Sequence, residues 1–272
     1  MLSDLELYAR GIRTAVACWS SYARTIAGGA VHHLPGVEVA VFTEGPERGV
    51  FNNAVLGHGL SAPHRRAAVD AMRSTYRDAG VMAYAAWVHE TDTAMLEELT
   101  SVGFVHQETT WAMGLQLDGT ARATDSRVGL GGWEEYLRVL ELPPGLLTGA
   151  DPHDFHVVVG RLEAEPVATG MGFDHDDDCG IYNVGTLEHA RRRGLGSAVV
   201  GALLDGAASR SCTTATLQST EMARRVYAGR GFRDVGRILE LGPPSRESTP
   251  ETGVTTLSTG RRSVVSVSQF RG

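Results

Sequence analysis

The stretch Gly180-Ile181-Tyr182-Asn183-Val184-Gly185-Thr186-Leu187, continued by Glu188-His189-Ala190-Arg191-Arg192-Arg193-Gly194-Leu195-Gly196-Ser197, decides how this chain is read. A strand over Ile181–Leu187 runs into a basic, glycine-containing loop, and the loop opens into an apolar helix predicted over Gly194–Ser209. That order makes a candidate cradle for a pyrophosphate. Glycine lets a backbone approach a ligand closely. The first N–H groups of a helix have no internal partners, and the helix dipole places partial positive charge among them. Arg191, Arg192 and Arg193 sit at the same end. Three cations there oppose the dipole and cost stability, a conflict that an anionic partner resolves.

Downstream lie a strand over Thr213–Gln218, a helix over Glu221–Arg230 that carries Tyr227, then Gly231-Phe232 and a strand over Arg233–Leu241. Upstream, Trp133–Leu140 reads as a short helix, and His156–Leu162 and Val167–Phe173 read as strands joined by a turn. Strands and helices alternate, so a mixed sheet in an α/β fold is expected. The first half repeats the order. It has a helix over 4–25 with the apolar stripe Leu5, Leu7, Tyr8, Ile12, Val16 and Trp19, strands over Val37–Phe42 and Val50–Leu56, and a helix over Ala67–Tyr76 behind Pro63. A strand over Val81–Val88, a helix over Asp92–Ser101 and a strand over Thr109–Leu117 follow. Gly103-Phe104 stands behind its helix as Gly231-Phe232 does, at an offset of 128 residues, and Asn53 matches Asn183 at an offset of 130. The copies differ chemically. Ser61–Ala68 has no glycine where Arg191–Gly196 would fall, and Leu99 stands opposite Tyr227. The expected organisation is a degenerate first domain over 1–117, a linker over 118–131, a ligand-binding domain over 132–241, and a Ser/Thr/Gly/Pro-rich tail over 242–272 with room for one edge strand.

A chain of 272 residues with 42% hydrophobic content can bury a sizeable core. The net charge of −7 speaks against nucleic acid as the main partner. All 25 basic residues are Arg, so the protein has no lysine of its own to modify. Cys18, Cys179 and Cys212 form neither a CxxC motif nor an even framework, which suits a reducing compartment. No apolar run reaches membrane-spanning length, and Asp4 and Glu6 precede the first apolar stretch, so neither a membrane span nor a signal peptide is expected and the cytoplasm is.

Arg191-x-x-Gly194-x-Gly196 after a strand, with Ala223, Tyr227 and Gly231-Phe232 at their spacings, resembles the GNAT acyltransferase superfamily over about 155–241. The layout resembles tandem GNAT proteins with a degenerate N-terminal half. The resemblance implies an N-acetyltransferase that moves an acetyl group from acetyl-CoA, a co-substrate, to a primary amine of a small molecule or peptide. It implies that backbone groups of Val184, Gly185 and Thr186 hold the pantetheine arm on a splayed sheet, and that N–H groups from Arg192 through Gly194 and Leu195 to Gly196 and Ser197 hold the pyrophosphate. Arg191, Arg192 or Arg193 would take the 3′-phosphate, and Tyr227 would protonate the leaving thiolate. The tetrahedral oxyanion needs a donor, for which a strand N–H near Val184 is suited. Thr220 departs from the family's usual Asn, which leaves one pantetheine contact with a hydroxyl in place of an amide. The implied partners are an acyl-CoA and an amine acceptor, with no nucleic acid and no membrane, in a monomer or homodimer. A non-catalytic acyl-CoA-binding sensor or scaffold is the alternative. A nucleotide-phosphate binder fits less well, because the loop lacks the Gly-Lys-Ser/Thr of a P-loop.

Other polar groups read more plainly. Asp174-His175-Asp176-Asp177-Asp178 starts like an EF-hand loop but has Cys179 and Gly185 at the sixth and twelfth positions, so it reads as a solvated hairpin turn whose residual role is an acidic rim for a cationic amine. No metal site is expected. Glu188, His189 and His175 are candidates for a general base by proximity in sequence, and a water chain serves equally well.

Overall fold

The computed structural model describes residues 2–44, 52–119, 125–142, 144, 150–151 and 154–243. The chain opens with α1 (Asp4–Ala23), started by a capping box in which Ser3 Oγ accepts from the Glu6 N–H and the Glu6 carboxylate accepts from the Ser3 N–H. Then come β1 (Gly29–Leu34), β2 (Val37–Phe42), β3 (Asn53–Leu56), α2 (Ala62–Asp78), β4 (Ala85–His89), α3 (Thr93–Ser101) and β5 (Val105–Gln116). The second half has β6 (Val128–Leu130), α4 (Trp133–Val139), β7 (Phe155–Leu162), β8 (Glu165–His175) and β9 (Asp178–Thr186). A 3₁₀ turn (Glu188–Ala190), α5 (Leu195–Ser209), β10 (Thr214–Ser219), α6 (Arg224–Ala228) and β11 (Arg233–Gly242) complete it.

All these strands join one sheet in the order β1-β2-β3-β4-β11-β5-β10-β9-β8-β7-β6. Only β3/β4 and β10/β9 pair in parallel; the other neighbours are antiparallel. The order shows an exchange at the centre. The last strand of the second half, β11, lies between β4 and β5 of the first, and β5 lies between β11 and β10 of the second.

Side-chain alternation sorts the strands onto two faces. On β2, Val37, Val39 and Val41 enter one core while Ala40 and Phe42 enter another. One face carries a single core that spans both halves under α1 and α4, with Leu7, Trp19, Trp87, Tyr136, Phe155 and Ile238 among its members. The other face carries two separate cores. One lies under α2 and α3 around Met72, Tyr76 and Leu99, and one lies under α5 around Val199, Leu203 and Leu217.

The internal repeat holds in backbone detail. Gly103 has φ +91° and Gly231 has φ +95°. The Phe104 N–H donates to Leu99 O at 3.1 Å, and the Phe232 N–H donates to Tyr227 O at 3.2 Å. Both glycines serve a left-handed turn that brings a phenylalanine back under the preceding helix.

Some expectations change. Val128–Leu130 lie inside the stretch expected to be linker, yet form β6 on the sheet edge against β7. Three residues are too few to show an alternation period. The boundary between 117 and 132 divides the chain, but β5 and β11 carry the sheet across it. β1 was not expected, because its His32-His33 centre is exposed and its pattern is that of a solvated edge. The strand expected over Val81–Val88 runs instead over Ala85–His89, and the helix expected over Glu221–Arg230 is confined to Arg224–Ala228. The expected tail lies outside the described residues from 244 onward. No helix among the described residues is long and apolar enough to cross a membrane.

The exchange creates one electrostatic conflict. Glu240 on β11 is in register with Trp87 on β4 and Glu108 on β5, and is 7% exposed. Burial, and then the Glu108 charge, raise its carboxyl to about 8. A carboxyl whose pKa is raised by folding keeps its proton in the folded state after the unfolded chain has lost it. Its contribution therefore makes stability fall between the ordinary carboxyl value of 4.5 and about 8, and leaves it flat above. Glu240→Gln is expected to be more stable than the wild type at pH above about 8 by a few kcal/mol, with a gap that closes toward about pH 4. Denaturant unfolding of both proteins across this range checks it, and a constant gap would contradict a buried, neutral Glu240.

Candidate active site

Strands β9 and β10 part company. Their parallel pairing covers only Asp178–Gly180 against Thr214–Thr216. Beyond it β9 stays with β8 as far as Thr186↔Ala168, and β10 stays with β5 as far as Ser219↔Trp111. The edge of β9 that faces β10, from Ile181 to Thr186, is thus left without a strand partner among the described residues. Val184, Gly185 and Thr186 all lie on that free run. A bulge marks it. Asn183 has φ +52°, the β8 register shifts between Thr169 and Met171, and Asn183 Nδ2 donates to the buried Tyr136 hydroxyl at 2.6 Å. Helix α4 therefore holds the bulge from the far face. The parallel pair of the first half has no such opening, since β3 stays on β4 from Asn53↔Ala85 to Val55↔Trp87 and ends one residue later.

The opening leads into the cradle. After the Arg191 N–H donates to Glu188 O, the next backbone hydrogen bond is Ala198 N–H to Gly194 O at 3.0 Å. Among the described residues no carbonyl accepts from the N–H groups of Arg192, Arg193, Gly194, Leu195, Gly196 or Ser197. Gly194 is the N-cap of α5 at φ +78°, in the open, and Arg192 also has positive φ at +59°. Alternating left-handed residues curl successive N–H groups toward one point, the geometry of an anion nest. The Arg192 and Arg193 side chains are exposed, whereas Arg191 Nε donates to Thr186 O and ties the loop to the strand end. A Cβ on Gly196 would stand 3.4 Å from Thr186 Oγ1, so Gly196 keeps the gap between strand end and helix clear. The Leu195 side chain is core, at 1% exposure, and only its N–H is available. Ser197 Oγ accepts from Arg230 Nε at 2.6 Å. No acidic residue occupies the first turn of α5, which leaves the dipole end uncompensated.

Tyr227 sits on α6 and is 4% exposed, with its ring edge-on to Phe232. Burial alone pushes its phenol up, so it carries its proton at neutral pH. Thr220 lies at the end of β10, and its carbonyl accepts from the Ala223 and Arg224 N–H groups. Its hydroxyl also accepts from Ala223 N–H at 3.4 Å, which closes the turn that precedes α6. The first half fills the matching region from within. Asp92 caps α3 through Met95 N–H, and its other oxygen accepts from Gly59 N–H at 2.9 Å in the β3–α2 loop. Pro63 in the first turn of α2 supplies no N–H at all.

The structure removes some candidates. His175 and the acidic run lie at the β8–β9 hairpin, at the opposite end of β9 from the cradle. Asp176 and Asp177 form its turn at positive φ, Asp174 pairs with Arg210, Asp177 pairs with Arg10, and Asp178 is buried. The turn itself, Asp176 and Asp177, is exposed as expected, whereas Asp178 is buried and the whole run lies away from the cradle. Glu188 and His189 are exposed on the 3₁₀ turn beside the cradle. Sequence reading missed Trp111 of β5, the register partner of Ser219, whose ring lies under the Arg224 guanidinium at 3.9 Å. Only the strand exchange brings it there.

Residues 127–232 match the family model described as acetyltransferase (GNAT) family. A solved GCN5-related N-acetyltransferase from Kribbella flavida is similar over 87% of this chain and 96% of its own, at TM-score 0.67 and 17% identity. A tandem GNAT protein from the clavulanic acid biosynthesis pathway is similar over 90% of this chain and 98% of its own, at TM-score 0.57 and 14% identity. A GCN5-related N-acetyltransferase from Sphaerobacter thermophilus matches 76% of each chain at TM-score 0.58 and 16% identity. No curated protein matches significantly. The splayed strand, the loop of unshared N–H groups and Tyr227 all fall inside the segment that matches the GNAT family model, and the solved structures share the fold of the whole chain.

Proposed function

We propose that the protein is an N-acyltransferase that moves an acetyl group from acetyl-CoA to a primary amine of a small molecule or peptide. One observation carries the donor side of this reading. Six consecutive N–H groups, from Arg192 to Ser197, have no carbonyl partner among the described residues and lie at a helix N-terminus beside three arginines. An arrangement of that kind is costly alone and favourable around a pyrophosphate. The free edge of β9 then runs from the cradle past Val184, Gly185 and Thr186, the length that a pantetheine arm would follow as an added strand. Its N–H groups also suit a developing oxyanion.

Tyr227 would give its proton to the departing thiolate. A phenol raised by burial holds that proton at rest and has no hydrogen bond among the described residues to surrender. The acceptor would approach from the face that bears α1. There a shallow crevice beside β10 is lined by Tyr8, Gly11, Ile12, Gln218, Val235 and Ile238. Residues of the first half thus wall the acceptor side, and its own filled cradle leaves it no donor site.

Two outcomes test the reading. Gly194 has a left-handed backbone, so Gly194→Val is expected to weaken acetyl-CoA at least about tenfold in calorimetry and to cost about 1–2 kcal/mol of stability. Binding that survives this change would remove the cradle from the argument. Tyr227→Phe is expected to leave acetyl-CoA affinity within about twofold and to lower kcat with a primary-amine panel by about 10²–10⁴-fold. Full turnover in that variant would rule out Tyr227 as the acid. Binding without turnover of any amine by the wild type would favour the sensor or scaffold alternative.

A further inference from the structure

Asp178 is an acidic side chain at 1% exposure, and it sits at the start of the short β9/β10 pairing, two residues before the strands separate. Three hydroxyls donate to it, each at 2.7 Å. Thr214 Oγ1 reaches Oδ1, and Thr216 Oγ1 and Thr14 Oγ1 both reach Oδ2. Thr214 is its register partner on β10, and Thr216 belongs to the last paired position, opposite Gly180. One carboxylate thus grips β10 at two points a strand period apart, which fixes both the offset and the tilt of β10 against β9. The third donor, Thr14, comes from α1 of the first half. Gly11, almost one turn earlier, lets the helix lie against the vertex, since a Cβ there would stand 3.1 Å from Thr216 Cβ. Beside it Arg10 pairs with Asp177 at the surface, a contact that contributes little.

We infer that Asp178 is a positioning residue that sets the opening between β9 and β10 and ties it to helix α1. The inference rests on the reading of that opening as an acyl-CoA site. A buried charge is a poor way to gain stability, because apolar side chains of the same volume pack at least as well. A fully satisfied polar hub instead specifies one geometry. The first half supplies the contrast. There, by position in the parallel pairing and not by the sequence offset that matches Asn53 to Asn183, Asn53 stands opposite Ala85 as Asp178 stands opposite Thr214, and Trp87 takes the paired position of Thr216. No hydroxyl of β4 can be gripped, and the two strands stay paired almost to the end of β3. The hub occurs in the half whose strands diverge.

The test compares two ligands. Acetyl-CoA would use the cradle and the opening, whereas the nucleotide portion of coenzyme A without its pantetheine arm would use the cradle alone. Thr14→Val removes one donor from α1 and touches neither strand. It is expected to weaken acetyl-CoA about tenfold, the size of one buried hydrogen bond, and the nucleotide portion by less than about twofold. Thr14→Ser, which keeps the hydroxyl, is expected to restore the wild-type ratio. Asp178→Asn, equal in volume, gives the same comparison should Thr14→Val not fold. If both ligands weaken alike, or neither does while thermal stability falls, Asp178 is structural only and the inference is overturned. Failure of the wild type itself to bind acetyl-CoA would instead overturn the acyl-CoA reading, and this inference with it.

Discussion

Each of β5 and β11 completes its pairing only through the other half of the chain. β11 takes partners from β4 and β5, and β5 takes partners from β11 and β10. Backbone N–H and C=O groups buried at the middle of a sheet must be paired, so neither half can close its own sheet alone. The exchange also explains the cores. Two separate cores under α2 and α5 need only local strands, whereas the third runs across the seam and is covered by α1, whose residues touch both halves. The start of that helix is tied to the far end of the chain. Arg233 pairs with Asp4 and donates to Leu2 O, and Leu2 N–H donates to the Gln116 side chain. Glu240, held beside Glu108 where β11 enters the first half, shows what the exchange costs in placement of charge.

The same constraint shapes the candidate site. β10 cannot follow β9 to its end, because β5 holds β10 as far as Ser219 while β8 holds β9 as far as Thr186. The opening is a gap within one sheet, between two strands that are each paired on their other side, rather than a loose strand. Walls held by pairing on their far sides suit an extended ligand whose affinity depends on little ordering at the moment of binding. The bulge at Asn183 and the Tyr136 hydroxyl fix the twist of the free edge. Trp111 and the arginine stacked on it flank the mouth from a strand that the first half donates.

The cradle was legible because its signal is local. Glycines at Gly194 and Gly196, three arginines and a following apolar run lie within a few residues, and each has a direct backbone consequence. The repeat was legible for the same reason, since a left-handed glycine before a buried phenylalanine leaves a trace at Gly103 and again at Gly231. The strand exchange was not legible. Alternation in β5 and β11 reports burial on two faces, and nothing in it names the neighbouring strand. Asp178 was misread for a related reason. In sequence it closes a run of four acids around a histidine, which reads as a solvated turn. Its burial depends on threonines at 14, 214 and 216, contacts made at long range. Thr220 and Leu195 were read through the family pattern, and the structure gives each a local duty, a turn-closing hydroxyl and a core side chain.

The asymmetry of the two halves follows from a few side chains on a shared backbone plan. Where the second half leaves a run of N–H groups unshared, the first half supplies Asp92, a proline and a closed strand pair. An internal carboxylate on Gly59 satisfies a donor of the kind a phosphate would seek, and it would repel one. Leu99 keeps the packing role of Tyr227 without its hydroxyl. What the second half requires of the first is β5, β4 and α1, because these elements close its sheet and line the crevice beside β10. A filled loop region and a retained fold are then consistent outcomes of one dependence. The first half is held in place by what the second half needs from its backbone, and its own loops are released from that requirement.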